Sequence, residues 1–299
     1  MIKKSVKAQQ LIESNIHLFK CPVCETAMTR VESRSLKCGN GHSFDIARSG
    51  YVNLRNAPDR SKYTADMFTA RNKIAHSGFF EPLINELTGI LKGFLKQRKY
   101  KTIFILDAGC GEGSLLHQLQ ENIRSGHTIP TQGVGIDISK EGIHIAAREY
   151  EDCIWIVGDV AALPFMPHAF DCIINILSPS NYDEFESVLK HDGLLLKVVP
   201  GQDYLIEIRE LLHRETNRIC YSNEDTINLF DHRYDKSEKR KLRYTIPMDR
   251  EKLDDLLRMT PLTWNISPET THSIDVSIIS RITVDLTILI ANFSSDERR

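Results

Sequence analysis

The stretch LDAGCGEG, residues 106–113, decides the fold because it places a glycine-rich turn directly after a short apolar run, residues 102–105. A helical stretch follows it. Gly109, Gly111 and Gly113 carry no side chain, so the backbone amides of this turn can approach a ligand closely. A strand, a glycine-rich turn and a helix in this order predict the ligand-binding turn of a Rossmann-like domain.

Outward from this turn, short β-branched runs alternate with helical stretches. The later runs are GVGIDIS, CIWIVGD, FDCIINIL and GLLLKVV. This alternation predicts βαβ units around a parallel sheet, and hence the α/β fold class. We expect residues 65–99 to form an amphipathic helix before the sheet, and residues 263–274 and 282–290 to form its last strands.

Four consecutive predicted strands end in, or just before, a polar residue: Asp107, Asp137, Asp159 and Asn175. The carboxyl ends of parallel strands meet at one edge of a sheet, where open α/β domains bind their ligands. The glycine-rich turn alone would also suit a dinucleotide. The series of polar strand ends instead favours S-adenosylmethionine as the cofactor.

Each of these carboxylates suits one part of S-adenosylmethionine. Asp107 is placed to organise the turn and to hold the cationic amino-acid part, and Asp137 to accept hydrogen bonds from the ribose hydroxyls. We expect Asp159 to accept from the adenine amino group, with Ile138 and Val160 against the ring.

A zinc site is predicted near the amino terminus by three cysteines and a histidine. Cys21 and Cys24 are separated by two residues, Cys38 follows after thirteen more, and His42 after a further three. Three thiolates and an imidazole satisfy tetrahedral zinc, and four protein ligands leave no open position for catalysis. A module this small depends on the metal for its stability.

Composition and charge divide the 299-residue chain. Residues 1–78 hold 13 Lys and Arg against 6 Asp and Glu, whereas the remainder holds 25 against 34. The basic end is therefore the expected polyanion-facing surface. The polar stretch 56–64 suggests a linker, so we expect an amino-terminal extension and zinc ribbon over residues 1–60 and a methyltransferase domain over residues 61–299. No apolar run suits a bilayer or a secretory signal, and a cytoplasmic location is expected.

The order of motifs resembles that of the RlmA-type 23S rRNA (guanine-N1)-methyltransferases, a family that includes macrolide-resistance enzymes. The resemblance covers nearly the whole chain. The most specific segments, beside the zinc pattern, the glycine turn and GIDISK, are HSFDIARSGYVNL at 42–54, DMFTARNKIAHSGFFEPL at 66–83, the pair Ser178-Pro179, VPG at 199–201 and MTPLTW at 259–264.

The resemblance implies methylation of N1 of a guanine in a hairpin loop of 23S rRNA. It also implies a homodimer whose zinc domains help to cradle the RNA. Residues that it places against the cofactor are Phe80, Leu115, Leu116 and Tyr204. Family members often carry tyrosine in place of Phe80 and histidine in place of Tyr204, and core packing is an equal alternative for Phe80 and Leu115.

The catalytic group is less well defined by the sequence. A carboxylate or a positioned water must take the proton from guanine N1, and Asn175 is a candidate for steadying the base edge or for contacting the cofactor. Phe79 and Tyr182 are candidates for stacking on a flipped base. Candidates for phosphate contacts are Arg48, Arg55, Arg60, Lys62 and the run 236–243.

Two other functions remain open from the sequence alone. One is a small-molecule methyltransferase whose zinc ribbon serves only folding or dimerisation. The other is an RNA-binding module without turnover, against which the intact glycine turn and Asp107, Asp137 and Asp159 argue.

Overall fold

The computed structural model describes residues 3–56, 63–96, 98, 102–125, 130–213, 222–263 and 279–293. Within them the α-helices are α1 (Lys4–Ser14), α2 (Ala65–His76), α3 (Glu81–Leu95), α4 (Ser114–Arg124), α5 (Lys140–Glu149), α6 (Tyr182–Val188), α7 (Ile206–His213), α8 (Glu224–Arg233) and α9 (Arg250–Met259). The strands are β1 (Met28–Glu32), β2 (Ser35–Cys38), β3 (Ser43–Asp45), β4 (Val52–Asn53), β5 (Ile103–Ala108), β6 (Thr131–Asp137), β7 (Ile154–Val157), β8 (Phe170–Ile176), β9 (Leu189–Pro200), β10 (Glu238–Pro247) and β11 (Arg281–Asn292). Short 3₁₀ helices lie at Ile16–Leu18 and Pro261–Thr263.

The centre of the molecule is an eight-stranded sheet in the order β10-β11-β9-β8-β5-β6-β7-β4. Strands β9, β8, β5, β6, β7 and β4 run parallel to one another, and β11 runs antiparallel between β9 and β10. Strand β8 is buried along its whole length, as expected for a central parallel strand covered on both faces. The predicted α/β class is confirmed, and the strand order reverses beside β5, where ligands bind in such sheets.

The amino-terminal part folds against this sheet. Strands β1, β2 and β3 form a separate three-stranded antiparallel sheet, whereas β4 pairs with β7 as the edge strand of the large sheet. Helix α1 is held by an ion pair between Lys7 Nζ and Glu151 Oε2, 2.6 Å apart. The predicted domain boundary near residue 60 lies outside the described residues and stays a prediction.

The helical region before the sheet differs from the single helix predicted over residues 65–99. It contains two helices, α2 and α3, with Gly78 between them at a φ of +83°. A left-handed glycine ends a helix readily, and Pro82 in the first turn of α3 is favourable for starting a new one.

The carboxyl-terminal strands were predicted in part. The run 282–290 lies within β11, which confirms that strand. The other predicted strand, over residues 263–274, lies outside the described residues from Trp264 onward. The basic run 236–243 mostly lies in β10, an edge strand with exposed residues. None of the described helices is long and apolar enough to cross a membrane.

Candidate active site and zinc centre

The four predicted metal ligands come together in one cluster. The ligand atoms of Cys21, Cys24, Cys38 and His42 all lie within 4.8 Å of one another. Two sulfur atoms of tetrahedral zinc, each about 2.3 Å from the metal, are about 3.8 Å apart, and Cys24 Sγ lies 3.8 Å from Cys38 Sγ. His42 Nδ1 is 3.6 Å from Cys21 Sγ and 3.5 Å from Cys38 Sγ. These residues therefore fit zinc.

Two tight turns bring the ligand pairs together. In the first, the amide of Glu25 donates to the carbonyl of Cys21, and in the second the amide of Gly41 donates to the carbonyl of Cys38. Glu25 and Gly41 both have positive φ values, of 59° and 85°. A hydrogen bond from Thr26 lowers the pKa of the Cys24 thiol to about 5, which favours the thiolate that zinc requires.

The glycine-rich turn between β5 and α4 has the backbone that only glycine adopts easily. Gly109, Gly111 and Gly113 have φ values of +84°, +59° and +82°. A Cβ on Gly113 would lie 2.5 Å from Trp155, and one on Gly109 would lie 1.9 Å from the hydroxyl of Ser178. The turn is therefore packed tightly against the sheet and against the loop that follows β8.

Asp137 at the end of β6 organises the turn. Its two carboxylate oxygens accept hydrogen bonds from the amides of Gly111 and Ser139, both 2.8 Å long. The neighbouring Glu112 accepts from the amide and hydroxyl of Ser114 at the start of α4. Both carboxylates thus brace the backbone around the predicted cofactor turn.

Asp107 contributes a buried carboxylate to the same place. It is 2% exposed, and its Oδ1 atom has no hydrogen-bond partner in the described part of the chain. Burial raises the pKa of Asp107 to about 8, and the neighbouring Asp137 and Glu112 add to the rise while Arg71 opposes it. A ligand with a positively charged amino group would pair with this carboxylate and restore its ordinary ionisation.

The charge around the turn distinguishes between the two cofactor classes. Three carboxylates lie here, the buried Asp107 and Glu112 and the half-buried Asp137. Desolvation raises the pKa of each, and the Arg71 guanidinium is the nearby positive group that opposes the rise. An acidic site of this kind opposes the pyrophosphate of a dinucleotide and favours S-adenosylmethionine, whose sulfonium and ammonium groups are cationic.

The predicted adenosine-binding residues lie at the next strand ends. Ile138, Asp159 and Val160 are each half-buried, so part of each side chain faces the solvent edge of the sheet. One oxygen of Asp159 accepts from the amide of Ala161, 2.9 Å away. Its other oxygen has no such bond among the described residues, which suits the predicted contact with the adenine amino group.

A cavity of about 560 Å³ opens beside the carboxyl ends of β8 and β9. Helix α2 contributes Met67 and Arg71, and the loop after β8 contributes residues 177–180. Arg71 also lies against the glycine turn, since a Cβ on Gly111 would be 3.4 Å from its guanidinium carbon. The cavity therefore lies next to the predicted cofactor turn, with Arg71 between them, which suits group transfer from a bound cofactor.

The residues expected to touch the cofactor fall into two groups in the structure, one at the cavity and one in the hydrophobic core. Phe80 and Tyr204 both line the cavity. Leu115 and Leu116 lie in the first turn of α4, with their side chains buried in the hydrophobic core. Their backbone is next to the glycine turn, so any contact that they make with the cofactor is expected from the main chain.

Asn175 is fully buried within β8. Its Nδ2 donates to the carbonyls of Ala108 and Pro179, and its Oδ1 accepts from Lys197 Nζ at 2.6 Å. All of these groups belong to the protein, so Asn175 joins β5, β9 and the loop after β8. As a site residue it stays a prediction, with a positioning role favoured over direct contact with the base.

The residues expected to stack on the base lie elsewhere. Phe79 is completely buried, and Tyr182 packs against Phe185, Phe230 and Tyr234. Neither Phe79 nor Tyr182 is among the residues that line the cavity. Among the described residues, the aromatic side chains that line it are Tyr63, Phe80 and Tyr204.

Sequence reasoning missed three cations that line the cavity, Arg71, Lys197 and Arg209. Arg71 lies on α2, whose sequence reads as an ordinary amphipathic helix, and only the packing of α2 over the glycine turn reveals its role. Lys197 had a detectable signal. It is the single charged residue in the apolar run GLLLKVV of β9, and the structure buries it to 3% exposure.

We expect Asp107→Asn to stabilise the protein without cofactor and to weaken its binding of S-adenosylmethionine. The pKa of Asp107 in the folded protein, about 8, lies above its ordinary value of about 4 in an unfolded chain. The contribution of Asp107 to the free energy of unfolding is therefore fully present below about pH 4 and is lost as the pH rises towards 8. Asparagine does not titrate, and the stability advantage of the variant should grow from pH 5 to at least about 1 kcal/mol at pH 8. Denaturant melts at both pH values measure this, and an advantage independent of pH would contradict it.

The fold and the site together define a class I S-adenosylmethionine-dependent methyltransferase joined to a zinc ribbon. Residues 19–59 match the family model described as "RlmA, N-terminal", and residues 105–193 match one described as "Methyltransferase domain". YxjB of Bacillus subtilis, whose name provisionally assigns it as a 23S rRNA (guanine-N(1)-)-methyltransferase, is 39% identical over 91% of this chain and 96% of that protein. The chain therefore belongs to the 23S rRNA (guanine-N1)-methyltransferase family.

A second relative has a more specific name. The 23S rRNA (guanine(748)-N(1))-methyltransferase of Streptomyces fradiae is 30% identical over 85% of this chain and 88% of its own length. The predicted family, methyltransferase class and pairing of zinc with S-adenosylmethionine are confirmed.

Proposed function

We propose that this protein transfers a methyl group from S-adenosylmethionine to N1 of a guanine in 23S rRNA. The observation that carries the proposal is the 39% identity to a family member across both the zinc ribbon and the methyltransferase domain. The acidic cofactor turn and the adjoining cavity support the same reaction, because they bring a cationic methyl donor beside a space for a base.

Named residues would divide the binding of S-adenosylmethionine among them. Asp107 would pair with its amino group, Arg71 with its carboxylate, Asp137 with the ribose and Asp159 with the adenine amino group. Its sulfonium makes the methyl group electrophilic when it is bound. The protein's own task is then to align guanine N1 with that methyl group and to exclude water, for which Phe80 and Tyr204 line the cavity.

The first experiment is transfer of labelled methyl from S-adenosylmethionine to unmodified 23S rRNA, followed by nucleoside mass spectrometry. Recovery of 1-methylguanosine is the expected result, and mapping then identifies the nucleotide. Labelled small molecules from a cell extract, with unlabelled RNA, would instead support the small-molecule alternative. Tight RNA binding with no methylated product would support a module without turnover.

Exposed cations of the zinc ribbon are the proposed phosphate contacts. Arg60 and Lys62 lie outside the described residues, and three of the four cations on β10, Lys239, Arg240 and Arg243, form ion pairs with acidic side chains. Arg48, by contrast, is exposed in the basic end of the chain. Arg48 is therefore the sharper test of RNA contact.

We expect Arg48→Gln to lower the salt dependence of RNA binding. Loss of one phosphate contact should reduce the slope of log affinity against log salt by about one. Binding of a 23S rRNA fragment at several salt concentrations measures the slope. The control Arg148→Gln, an exposed change outside the zinc ribbon, should leave the slope unchanged. An unchanged slope for Arg48→Gln would show that the RNA binds to another surface.

Further features of the proposal follow from the family resemblance. The target guanine would lie in a hairpin loop, and two copies of the chain would cradle the RNA with their zinc ribbons. Light scattering at working concentration tests the dimer, and methylation of isolated hairpins tests the loop. Action on ribosomal RNA agrees with the expected cytoplasmic location.

A further inference from the structure

The described lining of the cavity beside the cofactor turn contains cations and no carboxylates. Among the described residues that line it, three are positively charged, Arg71, Lys197 and Arg209, and none is Asp or Glu. Methylation at guanine N1 requires the loss of the N1 proton, which leaves negative charge shared between N1 and O6. The lining is therefore suited to stabilise that anion, and the proton would pass to water rather than to a side-chain carboxylate.

Two of the three cations are occupied elsewhere. Arg71 lies over the glycine turn with its Nε 3.7 Å from Glu112, next to the proposed cofactor carboxylate. Arg209 donates to the backbone carbonyls of Tyr204 and Gln202. Lys197 differs because its contacts within the described part of the chain leave one hydrogen unused.

Lys197 is held in a fixed position by two neutral acceptors. Its Nζ donates to Asn175 Oδ1 at 2.6 Å and to the carbonyl of Ser178 at 2.8 Å. An ammonium group has three hydrogens, and no carboxylate in the described part of the chain forms an ion pair with this one. Burial lowers the pKa of Lys197 to about 8, so the group is still mainly protonated at neutral pH. A buried cation without an anion is costly unless a ligand supplies the negative charge.

We propose that the Lys197 ammonium donates its third hydrogen to O6 of the target guanine and stabilises the anion formed when N1 loses its proton. This inference rests on the proposed function. The N1 proton passes to water, the electron pair on N1 forms the bond to the methyl carbon, and the carbon–sulfur bond breaks with its pair remaining on sulfur. The C6 carbonyl is restored in the product. Asn175 acts through Lys197 as a positioning residue.

The test is Lys197→Met, which removes the charge and keeps most of the side-chain volume. We expect single-turnover methylation of the rRNA to fall about 100-fold, as for the loss of a preorganised oxyanion donor, with little change in the affinity for S-adenosylmethionine. The deficit should narrow from about pH 7 to about pH 9, because hydroxide then removes the N1 proton without help. Lys252→Met, a change of a half-buried lysine on α9, is the matched control.

Several results would overturn the inference. These are a rate for Lys197→Met within about threefold of the wild type, a deficit that does not change with pH, or an affinity for S-adenosylmethionine that falls as much as the rate. If Lys197→Met does not fold, the methylation rate of Lys197→Ala is measured with added propylammonium or propanol. The inference requires that propylammonium restores the rate and that propanol does not. Absence of 1-methylguanosine with the wild-type protein would instead reject the proposed function, and the inference with it.

Discussion

Asp137→Ala should lower the affinity for S-adenosylmethionine at least about 100-fold, which corresponds to about 3 kcal/mol. The carboxylate accepts from the amides of Gly111 and Ser139 in the protein alone, and it is the proposed partner of the ribose hydroxyls. Alanine therefore removes the ribose contact and releases the backbone of the glycine turn together. Two losses of charge-assisted hydrogen bonds, each about 1.5–3 kcal/mol, account for the size of the effect.

Isothermal titration with S-adenosylmethionine measures this change. Asp192→Ala is the matched control, because that carboxylate is exposed near the start of β9, at the opposite end of the strand from the site. Asp137→Asn should fall between the wild type and Asp137→Ala, since the amide keeps one acceptor oxygen. An affinity of Asp137→Ala within about threefold of the wild type would require the cofactor to bind elsewhere.

Cys38→Ser should abolish stable zinc binding and unfold the ribbon. Zinc binding supplies about 10–16 kcal/mol to comparable small modules, and Cys38 is central to this cluster, with Cys24 Sγ and His42 Nδ1 both in contact. The loss should spread to the edge strand β4, which pairs with β7 through only two residue pairs. The remaining strands of the large sheet do not depend on the metal, so binding of S-adenosylmethionine should survive.

Zinc content and hydrogen exchange measure this outcome together. We expect less than one zinc per chain and loss of protection over residues 20–54, with methylation of rRNA lost. Cys153→Ser is the matched control, because that thiol is buried in the core beside Gln120, away from the cluster. Zinc at the wild-type stoichiometry and affinity in Cys38→Ser, or a protected ribbon after chelation, would show that the fold does not need this ligand.

The sequence predicted the zinc centre with all four ligands. Ligand spacing is local, since only two residues separate Cys21 from Cys24 and three separate Cys38 from His42. Asp107, Asp137 and Asp159 were likewise assigned to one edge of the sheet, because each follows an apolar strand of the same βαβ series. Their individual roles toward the cofactor remain predictions.

Arg71 could not be assigned to the cavity from local patterns. Arg71 reaches the glycine turn only because α2 crosses it, and that crossing depends on the break at Gly78 that separates α2 from α3. Asn175 appeared to be a free polar strand end. It proved to be buried and bonded to Lys197, a partner 22 residues away along the chain.

The sequence by itself predicted the alternation of strands and helices along the chain, the metal ligands and the acidic residues at the strand ends. Periodicity and short spacings report local structure. They are enough to predict a site when its residues are near in sequence or lie at equivalent positions of repeated βαβ units. Only the tertiary structure decided which charges face the cavity, that β4 joins the large sheet and that Lys197 has no anionic partner among the described residues. Those features depend on the packing of distant segments, which brings charges together and removes the water that would otherwise screen them.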